Sequence, residues 1–116
     1  MNFVSGHFVD NCLLYAMPAE LTSSEFADFA NFLLNELDTT NPKHLILDFS
    51  GFQVMDKTEF ERCRSLVRQV ELMGTQVSNH GLNAGVVSTL VDLVDDLSGM
   101  NFYGSLESAI AGIHNE

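Results

Sequence analysis

The segment from His44 to Phe49, HLILDF, constrains the fold more than any other stretch of the chain. It is a short, nearly continuous apolar run with Asn41-Pro42 before it and Ser50-Gly51 after it, the pattern of a strand buried on both faces. Such a strand needs a sheet beside it and helices over it, and the flanking sequence supplies the helices. Thr22-Ser-Ser-Glu25 is a capping-box signature, in which the hydroxyl accepts from an early backbone N–H while Glu25 reaches back. It opens a helix expected over 23–38, with Phe26, Phe29, Leu33 and Leu37 at helical spacing as its inward stripe. After the Ser50-Gly51 loop, Asp56 caps a second helix over 57–73 whose third residue is Glu59 and whose buried stripe is Phe60, Cys63, Val67 and Val70; Gly74 stops it.

The other elements are weaker in pattern. Two strands, Phe3 to Val4 and Asn11 to Met17, are expected to form a hairpin around the polar break Ser5-Gly6-His7. Thr75 to Asn79 reads as another strand and 84–94 as a helix with Val87, Leu90, Val91 and Val94 inward. A short Phe102-Tyr103 strand precedes a last helix over 105–113. Strands alternating with helices of this length imply an α/β fold with parallel pairing through right-handed crossovers.

Composition narrows what such a domain does. A chain of 116 residues that is 46% hydrophobic closes one core and not two, so 1–116 is expected to be a single domain. No apolar run approaches the roughly 20 residues that span a bilayer, and the N-terminus lacks the layout of a secretory signal. A cytoplasmic protein with no direct membrane insertion is therefore expected. The net charge of −11, from 16 acidic and 5 basic residues, argues against nucleic acid as a partner, because a phosphate backbone needs a basic surface. Four of the basic residues, Lys57, Arg62, Arg64 and Arg68, nevertheless fall in one short stretch of the second helix. They either meet an acidic partner surface or pair within the helix, as Glu61 with Arg64 or Arg68 with Glu71.

Signs of catalysis are sparse. The chain has no GxSxG, P-loop or GxGxxG motif. His7, His44, His80 and His114 lie on separate elements without metal-ligand spacing, so no metal or cofactor is expected. Cys12 and Cys63 have no CxxC spacing and read as reduced, buried thiols. Asp92, Asp95 and Asp96 lack the glycine and alternation of a calcium loop and read as a solvated acidic helix end. Asp48 and Asp56 flank the Ser50-Gly51 loop at the carboxyl end of the central strand, where open α/β sheets place their functional crevice. Either they serve the loop amides and the helix cap, or they line a small ligand site. Two carboxylates without a base, nucleophile or metal cluster do not make an enzyme.

The order of elements from Pro18 onward resembles the STAS family, the domain shared by anti-sigma factor antagonists and sulfate transporters. The resemblance rests on Leu45-Ile-Leu-Asp-Phe-Ser-Gly51, Val54-Met-Asp56, Glu71-Leu-Met-Gly74, Ser88-Thr-Leu-Val-Asp-Leu93 and Ser105-Leu-Glu-Ser-Ala-Ile110. It implies a four- or five-stranded mixed sheet with helices packed mainly on one face, and a non-enzymatic role in switching protein partners. In the family's antagonists an aspartate and the serine after it open the second helix, and a partner kinase phosphorylates that serine. Asp56 matches the aspartate and Lys57 stands in the serine's place. Lysine has no hydroxyl and puts a fixed cation where phosphate would add about −2, so the usual switch is expected to be absent. Thr58 keeps a hydroxyl one residue later, turned by about 100° along the helix. It is the candidate phosphorylation site, with helix-start hydrogen bonding as its other reading.

The ELMG and STLVDL segments look most like the stressosome scaffold branch, whose STAS domains assemble and sequester a kinase. The resemblance therefore points to a kinase, an anti-sigma factor or another STAS protein as partner, with homo-oligomers also in view. Its docking surface is expected to comprise Ser50, Gly51, Asp56, Lys57, Thr58, Arg62 and Arg64. The alternative is an accessory STAS subunit of a membrane transport system.

Overall fold

In the computed structural model, which describes Phe3, residues 6–82, Gly85, Val86, Phe102 and Tyr103, five strands make one mixed sheet. It begins with a tight hairpin of β1 (His7–Val9) and β2 (Cys12–Ala16), antiparallel, with Val9 opposite Cys12. The turn is Asp10-Asn11, both with positive φ (49° and 65°), as a type I′ connection requires. The hairpin expected from the sequence is present, but its first strand lies over His7–Val9 rather than Phe3 to Val4, and Phe3 is outside any strand. Asp10 and Asn11 take the left-handed conformation more readily than other non-glycine residues, and they, not the Ser5-Gly6-His7 break, make the turn.

α1 (Ser23–Thr40) follows, and β3 (His44–Asp48) pairs parallel with β2. The Thr22/Glu25 capping box is closed in both directions, at 3.1 and 3.0 Å. The helix runs two residues past the expected end, to where the Asn41 N–H closes on the Leu37 carbonyl at 2.8 Å; in its last turn Thr39 and Thr40 donate their hydroxyls back to the carbonyls of Asn35 and Glu36, at 2.9 and 2.7 Å. Asn41 then turns left-handed and Pro42 prevents continuation.

α2 (Lys57–Leu72) leads to β4 (Gln76–His80), parallel to β3, and β5 (Phe102–Tyr103) pairs parallel with β4. The sheet order is β1-β2-β3-β4-β5. Gly85 and Val86 are helical. The rest of the helix expected over 84–94, and the one over 105–113, lie outside the described residues, as do Asp92, Asp95, Asp96 and His114.

Because β2, β3 and β4 are neighbours in sequence order, two right-handed crossovers put α1 and α2 on the same face of the sheet. That face carries Leu13, Tyr15, Leu45, Leu47 and Val77, which join Phe29, Leu33 and Leu37 of α1 and Phe60, Cys63, Leu66, Val67 and Val70 of α2 in one core. On the reverse face Cys12, Ile46 and Ser78 are buried as well, so β3 is covered on both sides as its apolar run predicts. The parallel crossovers also bring the N-termini of both helices to the carboxyl end of the strands, beside the loops that follow β3 and β4.

Both cysteines are free and buried. Burial pushes the Cys63 thiol up to about 12 and raises that of Cys12, so neither is ionised near neutral pH. The Tyr15 hydroxyl donates to the Glu36 carboxylate, tying β2 to α1; burial first, and then that hydrogen bond, raise its pKa.

Candidate functional site

The loop after β3 is fixed from three directions. The Ser50 backbone N–H donates to the Asp48 carboxylate at 2.9 Å, closing an Asx turn, and Phe52 N–H donates to the Phe49 carbonyl at 3.0 Å. Phe49 N–H reaches the His80 carbonyl at 2.8 Å, so the loop is also tied to β4. Phe52 and Met55 are buried, with the Phe52 ring 5.6 Å from that of Phe49. Between these anchors the chain turns outward: Ser50, Gly51 and Gln53 are exposed, and Val54 is 74% exposed.

Gly81 makes the close approach possible. Its φ is +92°, and a Cβ built on it would lie 2.6 Å from Asp48 Oδ1 and 2.9 Å from the Ser50 nitrogen. Any side chain at this position would push the end of β4 away from the loop. His80 Nε2 stands 4.0 Å from the same Asp48 oxygen. No local motif marks His80 or Gly81 for this part, because the contact joins residues far apart in the chain.

Asp56 starts α2 with a second closed capping box: Glu59 N–H donates to Asp56 Oδ1 at 2.7 Å, and Asp56 N–H donates to Glu59 Oε1 at 3.2 Å. Asp48 and Asp56 thus serve loop amides and a helix cap, the structural one of their two readings. Lys57 and Thr58 follow, both exposed, and they continue the surface of the loop onto the first turn of the helix. Among the described residues, no group of three His, Cys, Asp or Glu side chains could hold a metal ion.

The basic cluster divides. Arg64 is engaged by Glu61 within the helix at 2.7 and 2.8 Å, and its guanidinium lies 5.1 Å from the Phe60 ring centroid. Arg62 leans toward α1: its guanidinium sits 5.3 Å over the Phe26 ring and reaches Ser23 Oγ at 3.5 Å. Phe26, expected in the inward stripe, is only half-buried and forms part of a groove of about 660 Å³ between α1 and α2. Lys57, Thr58 and Arg62 line the same groove. Ser50, Gly51, Asp56, Lys57 and Thr58 therefore form one exposed end of the domain, Arg62 lies at its border, and Arg64 is turned to a different flank of α2.

A parallel sheet of adjacent βαβ units with an antiparallel edge hairpin, two helices on one face and a capped helix start beside a pinned loop defines a STAS-type domain. The STAS domain model matches residues 6–109, and the chain belongs to that family. Among solved structures, it is similar to a Ser-to-Glu variant of RsbS from Moorella thermoacetica, with 26% identity over 97% of this chain and 95% of that one and a TM-score of 0.77. It is also similar to a chain of the stressosome, described as a signal integration and transduction hub, at 24% identity, 95% and 96% coverage and a TM-score of 0.79. The same fold occurs in the murine Slc26a9 anion transporter, at 16% identity and a TM-score of 0.75, where the match covers 95% of this chain but 19% of the transporter. No curated sequence matches the chain significantly. Among the described residues no helix is long and apolar enough to cross a membrane.

Proposed function

We propose that this chain is a regulatory STAS domain that binds a protein partner through the loop at 50–56 and the start of α2, with no phosphorylation at position 57. The observation that carries the reading is the exposed run of Ser50, Gly51, Val54, Asp56, Lys57 and Thr58 on a backbone held by Phe52, Met55 and the capping box. A surface ordered before binding loses little entropy on docking, which is what a recognition site needs. The similarity to RsbS and to a chain of the stressosome, a signal integration and transduction hub, supports a protein partner and assembly; the partner proposed is a kinase, an anti-sigma factor or another STAS protein. Lys57 gives this docking surface a permanent positive charge in place of a switchable negative one. Thr58 is the one hydroxyl in the first turn of α2 and the proposed acceptor for any phosphorylation there.

The test is a quantitative pull-down with wild type and Lys57→Glu as paired baits. A kinase, anti-sigma factor or STAS protein retained by wild type and lost with Lys57→Glu bears the proposal out. Equal recovery by both baits sinks the docking site. A second reading, an accessory STAS subunit of a membrane transport system, draws on the fold shared with the murine anion transporter. Recovery of transporter subunits by both baits would favour it.

A further inference from the structure

We infer that the groove between α1 and α2 is a binding site for a single-chain anionic amphiphile, a free long-chain carboxylate. Its apolar floor is Phe26, Ala30 and Leu34 of α1 and Leu66 of α2; its cationic end is Lys57 and Arg62. In a chain of net charge −11, this pairing of an apolar furrow with two cations is where a negative head group is attracted and not repelled.

Three observations place the head group. First, neither Lys57 nor Arg62 has a carboxylate partner among the described residues. Glu61, which also lines the groove, is held by Arg64, while Glu25 and Glu59 are turned back onto their own helix caps. Second, the Arg62 guanidinium lies 5.3 Å over the Phe26 ring and makes a single long hydrogen bond of 3.5 Å, from Nη1 to Ser23 Oγ, so its terminal nitrogens keep donors for a ligand in the groove it lines. Third, both helices start at this end, so their dipoles add positive potential to the two side chains. From there the floor runs away along α1. Phe26 to Leu34 spans about 12 Å at 1.5 Å per residue, the length of an extended chain of about ten methylenes at roughly 1.25 Å per C–C step. The far walls, Asn31, Ser65 and Gln69, are uncharged, so a single negative head with an apolar tail matches the groove from end to end.

The site shares Lys57 and Thr58 with the docking surface proposed above but does not depend on it. An occupant's carboxylate would compete with an acidic partner for Lys57, making the free amphiphile an antagonist of docking. Binding itself is measured without any partner, so the failure of either reading leaves the other standing.

The experiment titrates the full chain with dodecanoate, kept below its micelle concentration, and follows backbone amide shifts by NMR. The expected result is saturable, one-to-one binding that moves Ala30, Leu34 and Ser65. Affinity should rise roughly twofold per added methylene from octanoate to dodecanoate, half of the about fourfold step for full burial, because the groove is open on one side. Lys57→Gln should weaken binding by about three- to fivefold. Ser65→Trp, a substitution at an exposed position that fills the groove without touching the core, should abolish it. Four outcomes would overturn the site: no saturable shift, equal binding of dodecyltrimethylammonium, unchanged binding to Ser65→Trp, or sedimentation with anionic phospholipid vesicles while monomeric dodecanoate moves nothing.

Discussion

The two helix starts of this domain use the same chemistry and present different surfaces. α1 and α2 each open with a closed capping box, Thr22 with Glu25 and Asp56 with Glu59. The approach to α1 is packed down, with Met17 and Leu21 buried and Pro18 and Ala19 half-buried beneath the first turn. The approach to α2 buries only Phe52 and Met55 and leaves Val54 and the Ser50-Gly51 tip outside. The next residues diverge too: two neutral serines, Ser23 and Ser24, at α1, against Lys57 at α2. A cap makes a rigid helix start, and the residues left exposed around it decide whether that start can recognise anything.

If the core beneath both starts is common property, damaging it should abolish the distinction between them. Leu47 is fully buried in β3 under both helices. Leu47→Ala is expected to lower stability by about 2–5 kcal/mol in urea unfolding, and to weaken docking only through the unfolded fraction. Correcting binding for that fraction should restore wild-type affinity; a residual defect would mean that Leu47 shapes the loop directly.

The next largest effects should come from the caps, and here the two starts should separate. Thr22→Ala and Asp56→Ala each remove one side of a capping box and should each cost about 1 kcal/mol. Partner affinity should fall for Asp56→Ala and hold for Thr22→Ala. Equal losses of affinity would show that docking reads overall stability and not the α2 start. Smaller still in stability, Lys57→Glu should stay within about 0.5 kcal/mol of wild type, since an acid suits a helix N-terminus, while partner binding falls sharply.

What was legible in the sequence divides along the same line. The 44–49 run and both capping boxes could be read locally, since each is encoded in a few consecutive residues whose chemistry has one reasonable outcome. β1 lies away from its expected place because the Asp10-Asn11 turn, less obvious in the sequence than the Ser5-Gly6-His7 break, sets the hairpin. α1 ends two residues beyond the expected point because its stop is the left-handed Asn41 before Pro42, and Thr39 and Thr40, weak helix formers by propensity, stay helical up to it. Phe26 fits the period of the inward stripe, yet it lines the groove, because the gap between two helices is a tertiary quantity that the spacing within one of them does not carry. The Asp48–Gly81 approach was invisible for the same reason.

The smallest effect tests how far the α1 start is a purely structural device. The hydrogen bond that the Glu25 carboxylate accepts from the Thr22 backbone N–H, and after it the nearby Thr22 side chain, hold the Glu25 carboxyl below its usual pKa of 4.5. A group whose folded pKa is depressed contributes stability that is complete above its unfolded value and is lost as pH falls through the folded one. Wild type should therefore lose a small increment of stability as the pH drops below about 4.5, and Glu25→Gln, which keeps an oxygen for the Thr22 N–H but cannot titrate, should lose that increment at every pH. The difference between the two urea midpoints should shrink towards zero on acidification. Midpoints that coincided at every pH would mean that the capping oxygen matters and its charge does not, leaving the dipole of α1 without a part in fixing its start.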